Sequence, residues 1–165
     1  MDVEIPLSAD HICLIDDADE LLVAGFNWRP LKLKHTYYAH AWHGQMHIYM
    51  HRLVAGAPPQ GFVDHVNRNG LDNRRANLRI ATKSENGANR VADARVRRTS
   101  SEYKGVFWDR ARGKWAATIH VDGRSKALGR FGTEMEAAEA YNRAATATWG
   151  RFARLNLFPT QVVSA

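Results

Sequence analysis

The stretch FVDHVNRNGLDNRRANLRIATKSENGANR, residues 62–90, combines two short apolar runs, a polar loop and a helix start. The acid–imidazole pair Asp64-His65 stands in the first run, and the loop that follows is rich in turn residues. A second apolar run, LRIA, is followed by TKSE, which has the spacing of a capping box and predicts that a helix begins there. The stretch therefore predicts strand, loop, strand and helix, with Asn86 in the first turns of the helix.

This order of residues resembles the HNH nucleases found among phage and mobile-element homing endonucleases. The family pattern is Asp-His on the first strand, an Asn twelve residues on, and an Asn or His on the helix; here these are Asp64, His65, Asn77 and Asn86. The neighbouring runs MHRLVAG and LDNRRANLRIAT are similar to the same subgroup. The resemblance implies a ββα-metal unit at 62–90.

The resemblance also implies a role for each side chain. His65 would be the general base, since an imidazole with a pKa near ~6.5 is available in its neutral form near pH 7. Asp64 and Asn86 would bind one divalent cation, Mg²⁺ or Mn²⁺, because their oxygens are hard ligands. Such a cation neutralises the phosphate and assists the leaving oxygen. Asn77 would hold the His65 ring. His51, in the neighbouring run MHRLVAG, is a candidate to support the site indirectly, through the residues that touch the substrate, or simply to pack.

The position of the acid–imidazole pair imposes a geometrical condition. Adjacent residues on a regular strand point to opposite faces, so Asp64 and His65 share a site only if the strand bends or ends there. The polar loop that starts at Asn67 favours such an end. The alternative is a capped hairpin in which His65 merely hydrogen-bonds its surroundings, and the complete set of residues at this spacing favours the nuclease.

Composition restricts the setting. The chain of 165 residues is long enough for one ordinary domain or two small ones. No apolar run approaches the ~20 residues that span a bilayer, and the first ten residues are acidic and lack the features of a secretory signal. The single Cys13 forms no internal disulfide and no zinc cluster. We therefore expect a cytoplasmic protein of a bacterial or phage-infected cell, without membrane contact. The five histidines between positions 35 and 51 are irregularly spaced, which favours surface histidines over a metal cluster.

The net charge of +6 is unevenly distributed. Residues 1–60 carry four Lys and Arg against seven Asp and Glu, whereas residues 61–100 carry nine against four and residues 101–165 carry ten against six. The positive charge thus begins where the Asp-His stretch begins. This asymmetry indicates that the last two-thirds of the chain face a polyanion, namely double-stranded DNA.

A basic linker is predicted at 91–101, after an N-terminal domain of residues 1–90. The sequence there loses its apolar period and contains Arg95, Arg97 and Arg98. Fully extended, the linker would span at most ~36–40 Å, about one turn of B-DNA at ~34 Å. It would then neutralise phosphates along its path, or act as a solvated tether.

Residues 102–158 read as a second domain, followed by a tail at 159–165. Strands are predicted at 103–110, 114–121 and 125–131, and the capping-box spacing TEME predicts a helix that ends near Gly150. The pieces YKGV, GKWAATI, LGRFGTEMEAAEAYNRAA and ARLN resemble the AP2 DNA-binding domain. That resemblance implies a three-stranded sheet in the major groove with one helix packed behind it.

Candidate DNA contacts follow from the AP2 resemblance and from the positions of the cations. Alternation on the second strand places Trp115, Ala117, Ile119 and Val121 toward the helix, and the residues between them outward. The candidates for contact with DNA are Lys104, Arg110, Arg112, Lys114, Thr118, His120, Arg124 and Lys126.

The sequence thus predicts an α+β protein with a ββα-metal HNH unit and an AP2-like domain of three antiparallel strands and one helix. The predicted function is a homing-type DNA endonuclease that acts as a monomer and nicks one strand. A non-catalytic DNA-binding regulator on a nuclease scaffold is the first alternative. An RNA-binding or RNA-cutting protein is the second, and no dedicated motif supports it.

Overall fold

The computed structural model describes residues 1–33, 36–89 and 100–158. The chain divides into two compact units, one spanning Met1–Asn86 and one that begins at Gly87. Both units mix small antiparallel sheets with few helices, which confirms the predicted α+β class. Most of the predicted linker, with Arg95, Arg97 and Arg98, and the predicted tail lie outside the described residues.

The first unit is built from a hairpin, a three-stranded sheet and two short helices. Its opening elements, in chain order, are β1 Asp2–Ser8, β2 His11–Asp16, α1 Glu20–Val23, β3 Arg29–Leu33, β4 Thr36–His43, β5 Met46–Tyr49 and α2 Met50–Val54. Strands β1 and β2 pair with each other, and the sheet order of the others is β3-β4-β5. A 3₁₀ turn at Asp17–Asp19 leads into α1.

One apolar core joins the hairpin, the sheet and the helices of this unit. Cys13 and Ile15 of β2 and Met50 of α2 are fully buried in it. Leu21 and Leu22 of α1 lie outside this core and are 92% and 40% exposed. Helix α1 is a single turn, so only one of its side chains, that of Val23, reaches the core.

The predicted strand, loop, strand and helix follow as β6 Phe62–His65, β7 Leu78–Ala81 and α3 Lys83–Ala88. Strands β6 and β7 are antiparallel, with Asp64 opposite Arg79 and His65 opposite Leu78. The capping box is present: the Thr82 backbone N–H donates to Glu85 Oε2 over 2.7 Å, and the Glu85 N–H donates to Thr82 Oγ1 over 3.2 Å. Strand β6 ends at His65, which meets the condition set by the sequence.

The second unit contains a three-stranded antiparallel sheet and one longer helix. The elements are β8 Val106–Asp109, β9 Lys114–Val121, β10 Arg124–Phe131 and α4 Glu134–Trp149, with sheet order β10-β9-β8. Alanines of α4 and the inner side chains Val106 and Ala117 form the core between helix and sheet. The helix and three strands are confirmed, but the first strand is shorter than the predicted 103–110, because a turn with Gly105 at φ +79° precedes it. The assignment of this unit to the AP2 family stays a prediction.

Local signals define both ends of α4. Thr133 caps its start, and both hydrogen bonds of the capping box with Glu136 are formed. Gly150 ends the helix with φ +50°, a conformation that favours glycine. With 16 residues, α4 is too short and too polar to cross a bilayer, as are the shorter helices of the described ranges.

Alternation along β9 sorts its side chains as predicted, with one exception. Ala117 and Ile119 are buried on the helix side, whereas Lys114 and His120 are exposed. Ala116 belongs to the other side and is nevertheless buried, at 5% exposed. Its cross-strand partners are Phe107 and Arg130, and a single methyl group between two long side chains has little access to solvent.

Candidate active site

The loop between β6 and β7 is attached to strand β2. The Leu14 N–H donates to the Leu71 carbonyl over 2.8 Å, and the Asn73 N–H donates to the Leu14 carbonyl over 2.8 Å. At the loop tip, the Gly70 N–H donates to Thr36 Oγ1 over 3.0 Å. A Cβ at Gly70 would collide with the Tyr37 carbonyl oxygen and with the Tyr38 ring, so this close approach requires glycine. These contacts fix the loop beside the last residue of β6.

Asn77 organises the interior of this loop. Its Oδ1 accepts from the Asn67 N–H over 2.9 Å, and its Nδ2 donates to Asn67 Oδ1 over 3.0 Å and to the Asp72 carbonyl over 2.7 Å. The sequence interpretation gave Asn77 the task of holding the His65 ring. The structure shows a different contact: both ends of the Asn77 side-chain amide form hydrogen bonds with Asn67 and the Asp72 carbonyl.

The His65 ring takes its amide partner from Asn73 instead. His65 is 5% exposed, and its Nε2 lies 2.9 Å from Asn73 Oδ1. Asn73 is fully buried, and its Nδ2 donates to Cys13 Sγ over 2.9 Å. Sequence reasoning missed Asn73, although it stands in the run LDNRRANLRIAT that carried part of the resemblance. Its partner on the far side is 60 positions away.

A second buried imidazole lies beside the first. The ring centroids of His51 and His65 are 5.1 Å apart, and Tyr38 packs against both rings. Within the described residues, His51 Nδ1 is the buried side-chain nitrogen or oxygen atom that lacks a hydrogen-bond partner. Burial lowers the pKa of His51 to about 3, with smaller contributions from His65 and Arg52. His51 is therefore neutral at pH 7.

Burial likewise lowers the pKa of His65 below its ordinary value. The hydrogen bond with Asn73 and the negative charges of Asp64 and Asp72 act in the opposite direction. The net effect keeps the ring neutral at pH 7 and able to accept a proton. A general base needs this protonation state.

Asp64 is buried, at 6% exposed, and is paired with an arginine. Arg79 donates from Nε over 2.8 Å and from a terminal nitrogen over 2.6 Å, both to Asp64 Oδ2. The pair forms because the two residues are cross-strand partners and so share one face of the hairpin. Arg79 is a second residue that sequence reasoning missed.

Asn86 lies half-buried in α3, just after the capping box. A carboxylate and an amide oxygen are hard donors, so Asp64 and Asn86 suit Mg²⁺ or Mn²⁺ in their chemistry. No group of three or more His, Cys, Asp or Glu side chains within the described residues is arranged to hold a metal ion. A cation bound by these two residues would therefore complete its shell with water and substrate oxygens.

Two basic residues of the loop serve internal contacts. Arg74 pairs with Asp72 over 2.7 Å and with Asp2 over 2.8 Å, and Arg75 pairs with buried Asp19 over 2.6 Å. These ion pairs attach the loop to the β1–β2 hairpin and to the turn before α1. Part of the positive charge that the sequence interpretation directed at DNA is thus neutralised within the first unit.

The predicted DNA contacts of the second unit differ in their availability. Lys104 is half-buried, donates from Nζ to the Ala88 carbonyl and lies 6.0 Å from the centre of the Tyr141 ring. Arg112 lies 3.4 Å from Asp109, which also accepts from Arg130 Nε over 2.8 Å. The remaining cationic candidates are exposed on the surface: Arg110, Lys114, Arg124 and Lys126.

The register of the sheet separates these cations into two faces. Lys126 is opposite Ile119 and Arg124 is opposite Val121, so both lie on the side of the sheet that carries the helix. The open face, by contrast, presents Lys114, Thr118 and His120 of β9. Arg130, opposite Ala116, joins this open face and was not among the predicted contacts.

Comparisons with known proteins agree with the assignment of the central stretch. Residues 44–88 match the family model described as HNH endonuclease. Members of that family are nucleases that act on DNA, and they generally use a divalent metal. The matched residues include the buried group around His65.

Two viral proteins are similar to longer parts of the chain. One is an uncharacterized HNH endonuclease of Acanthamoeba polyphaga mimivirus, 32% identical over 114 residues, which are 68% of this chain and 57% of the relative. The other is Protein 3.8 of Escherichia phage T7, 30% identical over 79 residues, which are 47% of this chain and 63% of the relative. The chain thus spans about three-fifths of the length of these relatives.

Proposed function

We propose that the protein is a metal-dependent endonuclease of the homing type that hydrolyses phosphodiester bonds in double-stranded DNA. One observation carries the proposal. Within the segment that matches the HNH endonuclease family, a buried, neutral histidine ends a strand directly beside a buried aspartate. The mimivirus relative, which bears the name of an HNH endonuclease, supports the same class.

The residues divide the chemistry as follows. His65 takes a proton from the attacking water, because its ring is buried and neutral. Asp64 and Asn86 would hold Mg²⁺ or Mn²⁺, which supplies charge neutralisation at the phosphate when bound. Asn77 keeps the loop in shape, and His51 fills the space beside His65.

Arg79 has a place in this scheme as the residue that neutralises Asp64 in the metal-free protein. A buried carboxylate is strongly destabilising without a partner, and the guanidinium of Arg79 supplies one. A cation that binds Asp64 competes with, or adds to, this contact. Metal binding and the Asp64–Arg79 pair are therefore coupled.

In this proposal the second unit binds duplex DNA and so positions the nuclease on it. Its open sheet face offers cations and small polar side chains on a three-stranded array. Lysine and arginine on such a face neutralise phosphates. We place the DNA interface there, with Lys114, Thr118, His120 and Arg130 as its central residues, and infer an AP2-like mode of binding.

A single catalytic set per chain fits a monomer that nicks one strand. Two unlike units in tandem form an asymmetric reader, which suits a non-palindromic site, whereas symmetric dimers suit palindromes. We propose that the protein works in this form in the cytoplasm of a bacterial or phage-infected cell.

A non-catalytic DNA-binding regulator is the second candidate function. The Asp64–Arg79 ion pair favours it, because an arginine on the proposed metal ligand neutralises the charge that would attract a cation. In that case the buried network would serve stability alone. The two candidate functions differ in whether a divalent metal leads to cleavage of the bound DNA.

Incubation with a supercoiled plasmid that carries one target site separates the two candidates. With Mg²⁺ or Mn²⁺ we expect open circles that persist, and with EDTA no product. Asp64→Ala and Asn86→Ala are expected to need more metal for half-maximal cleavage, whereas Asn27→Ala, at an exposed position of the same unit, titrates like the wild type. Binding without cleavage at any metal concentration would favour the regulator, and linear product formed directly would indicate a cooperating dimer.

A further inference from the structure

We propose that Asn73 is the positioning residue of His65: it fixes the ring as the tautomer with hydrogen on Nε2 and leaves Nδ1 as the basic nitrogen. We further propose that a sulfur pair, Cys13 and Met50, sets the orientation of the Asn73 amide. The consequence for catalysis rests on the proposed nuclease function, whereas the tautomer itself does not.

The argument starts at Met50, the first residue of α2. Its thioether sulfur has no hydrogen, so it only accepts hydrogen bonds. Cys13 Sγ lies 3.3 Å from Met50 Sδ, and both side chains are completely buried. Burial raises the pKa of the Cys13 thiol to about 12, so the thiol keeps its hydrogen at neutral pH. The other acceptor near this thiol, the Leu14 carbonyl oxygen, is more distant at 3.9 Å, so we assign the S–H hydrogen of Cys13 to Met50 Sδ.

The next step concerns the amide of Asn73. With its hydrogen directed at Met50, Cys13 Sγ presents lone pairs to its other neighbour and accepts. The group 2.9 Å from that sulfur must then be the amide nitrogen, Nδ2, which donates. This fixes which end of the amide is nitrogen, an assignment that heavy-atom positions alone leave open. The backbone N–H of Asn73 donates to the Leu14 carbonyl and prevents the residue from shifting.

The last step concerns the ring of His65. Because the amide nitrogen faces Cys13, the amide oxygen faces His65 Nε2 at 2.9 Å. An amide oxygen only accepts, so Nε2 must carry the hydrogen. A neutral imidazole has one N–H, so Nδ1 of His65 is left with the lone pair that takes a proton. Asn73 is fully buried, so water does not compete for either end of its amide.

This series of contacts extends the site beyond residues 44–88, which match the HNH endonuclease model. Asn73 and Met50 lie within residues 44–88, whereas Cys13 belongs to β2, far outside them. The β1–β2 hairpin therefore contributes to the protonation pattern of the catalytic ring and does more than fill the core. Loss of the partner that orients a metal-bound histidine typically costs about 10–100-fold in activity, and we expect a similar effect for a partner that orients a catalytic base.

Nuclear magnetic resonance of the ¹⁵N-labelled full chain tests the tautomer directly. Long-range ¹H–¹⁵N correlation spectra at neutral pH distinguish a protonated ring nitrogen from an unprotonated one, and the His65 signals are assigned by their loss in His65→Ala. We expect a protonated Nε2, an unprotonated Nδ1, and a nuclear Overhauser effect between the Nε2 hydrogen and the Asn73 amide hydrogens. A hydrogen on Nδ1 in the wild type would overturn the proposal.

Variants test the positioning. Asn73→Leu keeps the volume but removes both hydrogen bonds, so we expect a mixture of tautomers and a kcat about 10–100-fold lower at unchanged KM. Cys13→Ala and Met50→Leu free the amide to reverse, so both should admit the second tautomer. Asn69→Ala is the matched control, because it removes a bond within the same loop, to the Leu71 N–H, without touching the ring. Its spectrum and cleavage are expected to match the wild type.

The readouts keep the two proposals separate. The expected tautomer in a protein that never cuts DNA would refute the nuclease and leave the positioning intact. Cleavage with an unchanged tautomer in Asn73→Leu would refute the positioning and leave the nuclease intact. If Asn73→Leu fails to fold, the wild-type spectra and the Cys13→Ala spectrum still decide the matter, since a single unchanged tautomer in Cys13→Ala contradicts the role of the sulfur pair.

Discussion

The two units use polar side chains in opposite ways. Of the buried polar residues in the described parts of the chain, seven lie in the first unit and only Asn89 and Ser101 lie in the second. Those of the first unit are held by networks such as Cys13–Asn73–His65. The second unit instead exposes cations on a sheet whose inner face is packed with alanines. Buried, hydrogen-bonded polar groups are held in a fixed geometry, whereas exposed cations are available to neutralise a polyanion.

The largest expected effect is on the chemical step. His65→Ala removes the general base, so we expect cleavage to fall by about 10²–10⁴-fold. DNA affinity should stay close to the wild-type value, because that affinity is assigned to the second unit. Single-turnover cleavage and a binding assay on the same duplex measure the two quantities. His43→Ala, at an exposed position of β4, is the control, and wild-type rates in His65→Ala would remove the assignment.

The next effect is on stability. Arg79→Met leaves the Asp64 carboxylate buried and without this partner, so we expect the free energy of unfolding to drop by about 3–5 kcal/mol. A cation at Asp64 replaces the lost charge. Thermal unfolding of the variant should therefore respond more strongly to Mg²⁺ or Mn²⁺ than that of the wild type.

A metal-independent melting temperature in Arg79→Met would show that Asp64 is not a metal ligand. Arg110→Met is the matched control, because Arg110 is exposed in the second unit and its loss should change neither stability nor the response to metal.

A smaller effect concerns pH. The pKa of His51 is near 3 in the folded protein and ordinary, near ~6.5, in the unfolded chain, so the unfolded state binds a proton first as the pH falls. The stability that depends on neutral His51 is thus complete above pH ~6.5 and is lost progressively down to about pH 3. The slope contributed by one such proton is at most about 1.4 kcal/mol per pH unit.

His51→Phe tests this slope. Phenylalanine fills the space beside His65 and Tyr38 without a titrating group. We expect denaturant unfolding of the variant between pH 4 and pH 7 to show a flatter pH profile than that of the wild type. An identical profile would mean that His51 is not protonated differently in the folded and unfolded chains.

The smallest effect compares the two faces of the second sheet. Lys114→Gln on the open face should weaken DNA binding and reduce the slope of log K against log salt by about 0.9, the value for one phosphate contact. Lys126→Gln changes the same residue type on the helix side and should leave the slope unchanged. Equal slopes in both variants would place the DNA elsewhere on this unit.

Local sequence determined most of the elements. The capping boxes at Thr82 and Thr133 predicted where α3 and α4 begin, because such a box is built from residues three apart. Alternation predicted which face of β9 packs on the helix, and the resemblance carried by the Asp-His pair and its neighbours predicted the segment that matches the HNH model. Side-chain period and local capping are properties of a few neighbouring residues, so they can be read from the sequence.

Tertiary structure decided which of two nearby asparagines contacts the His65 ring. Asn73 and Asn77 are alike in sequence, yet only the fold brings Asn73 between Cys13 and His65, across 60 positions on one side and eight on the other. It also turned Arg74 toward Asp2, 72 positions away, and placed Arg79 on Asp64. The partners of Asn73 and Arg74 depend on how the β1–β2 hairpin packs against the loop, whereas the Asp64–Arg79 pair depends on the register of β6 against β7. The sequence therefore predicted the class of chemistry, and the packing of distant segments decided which side chains lie beside the predicted base.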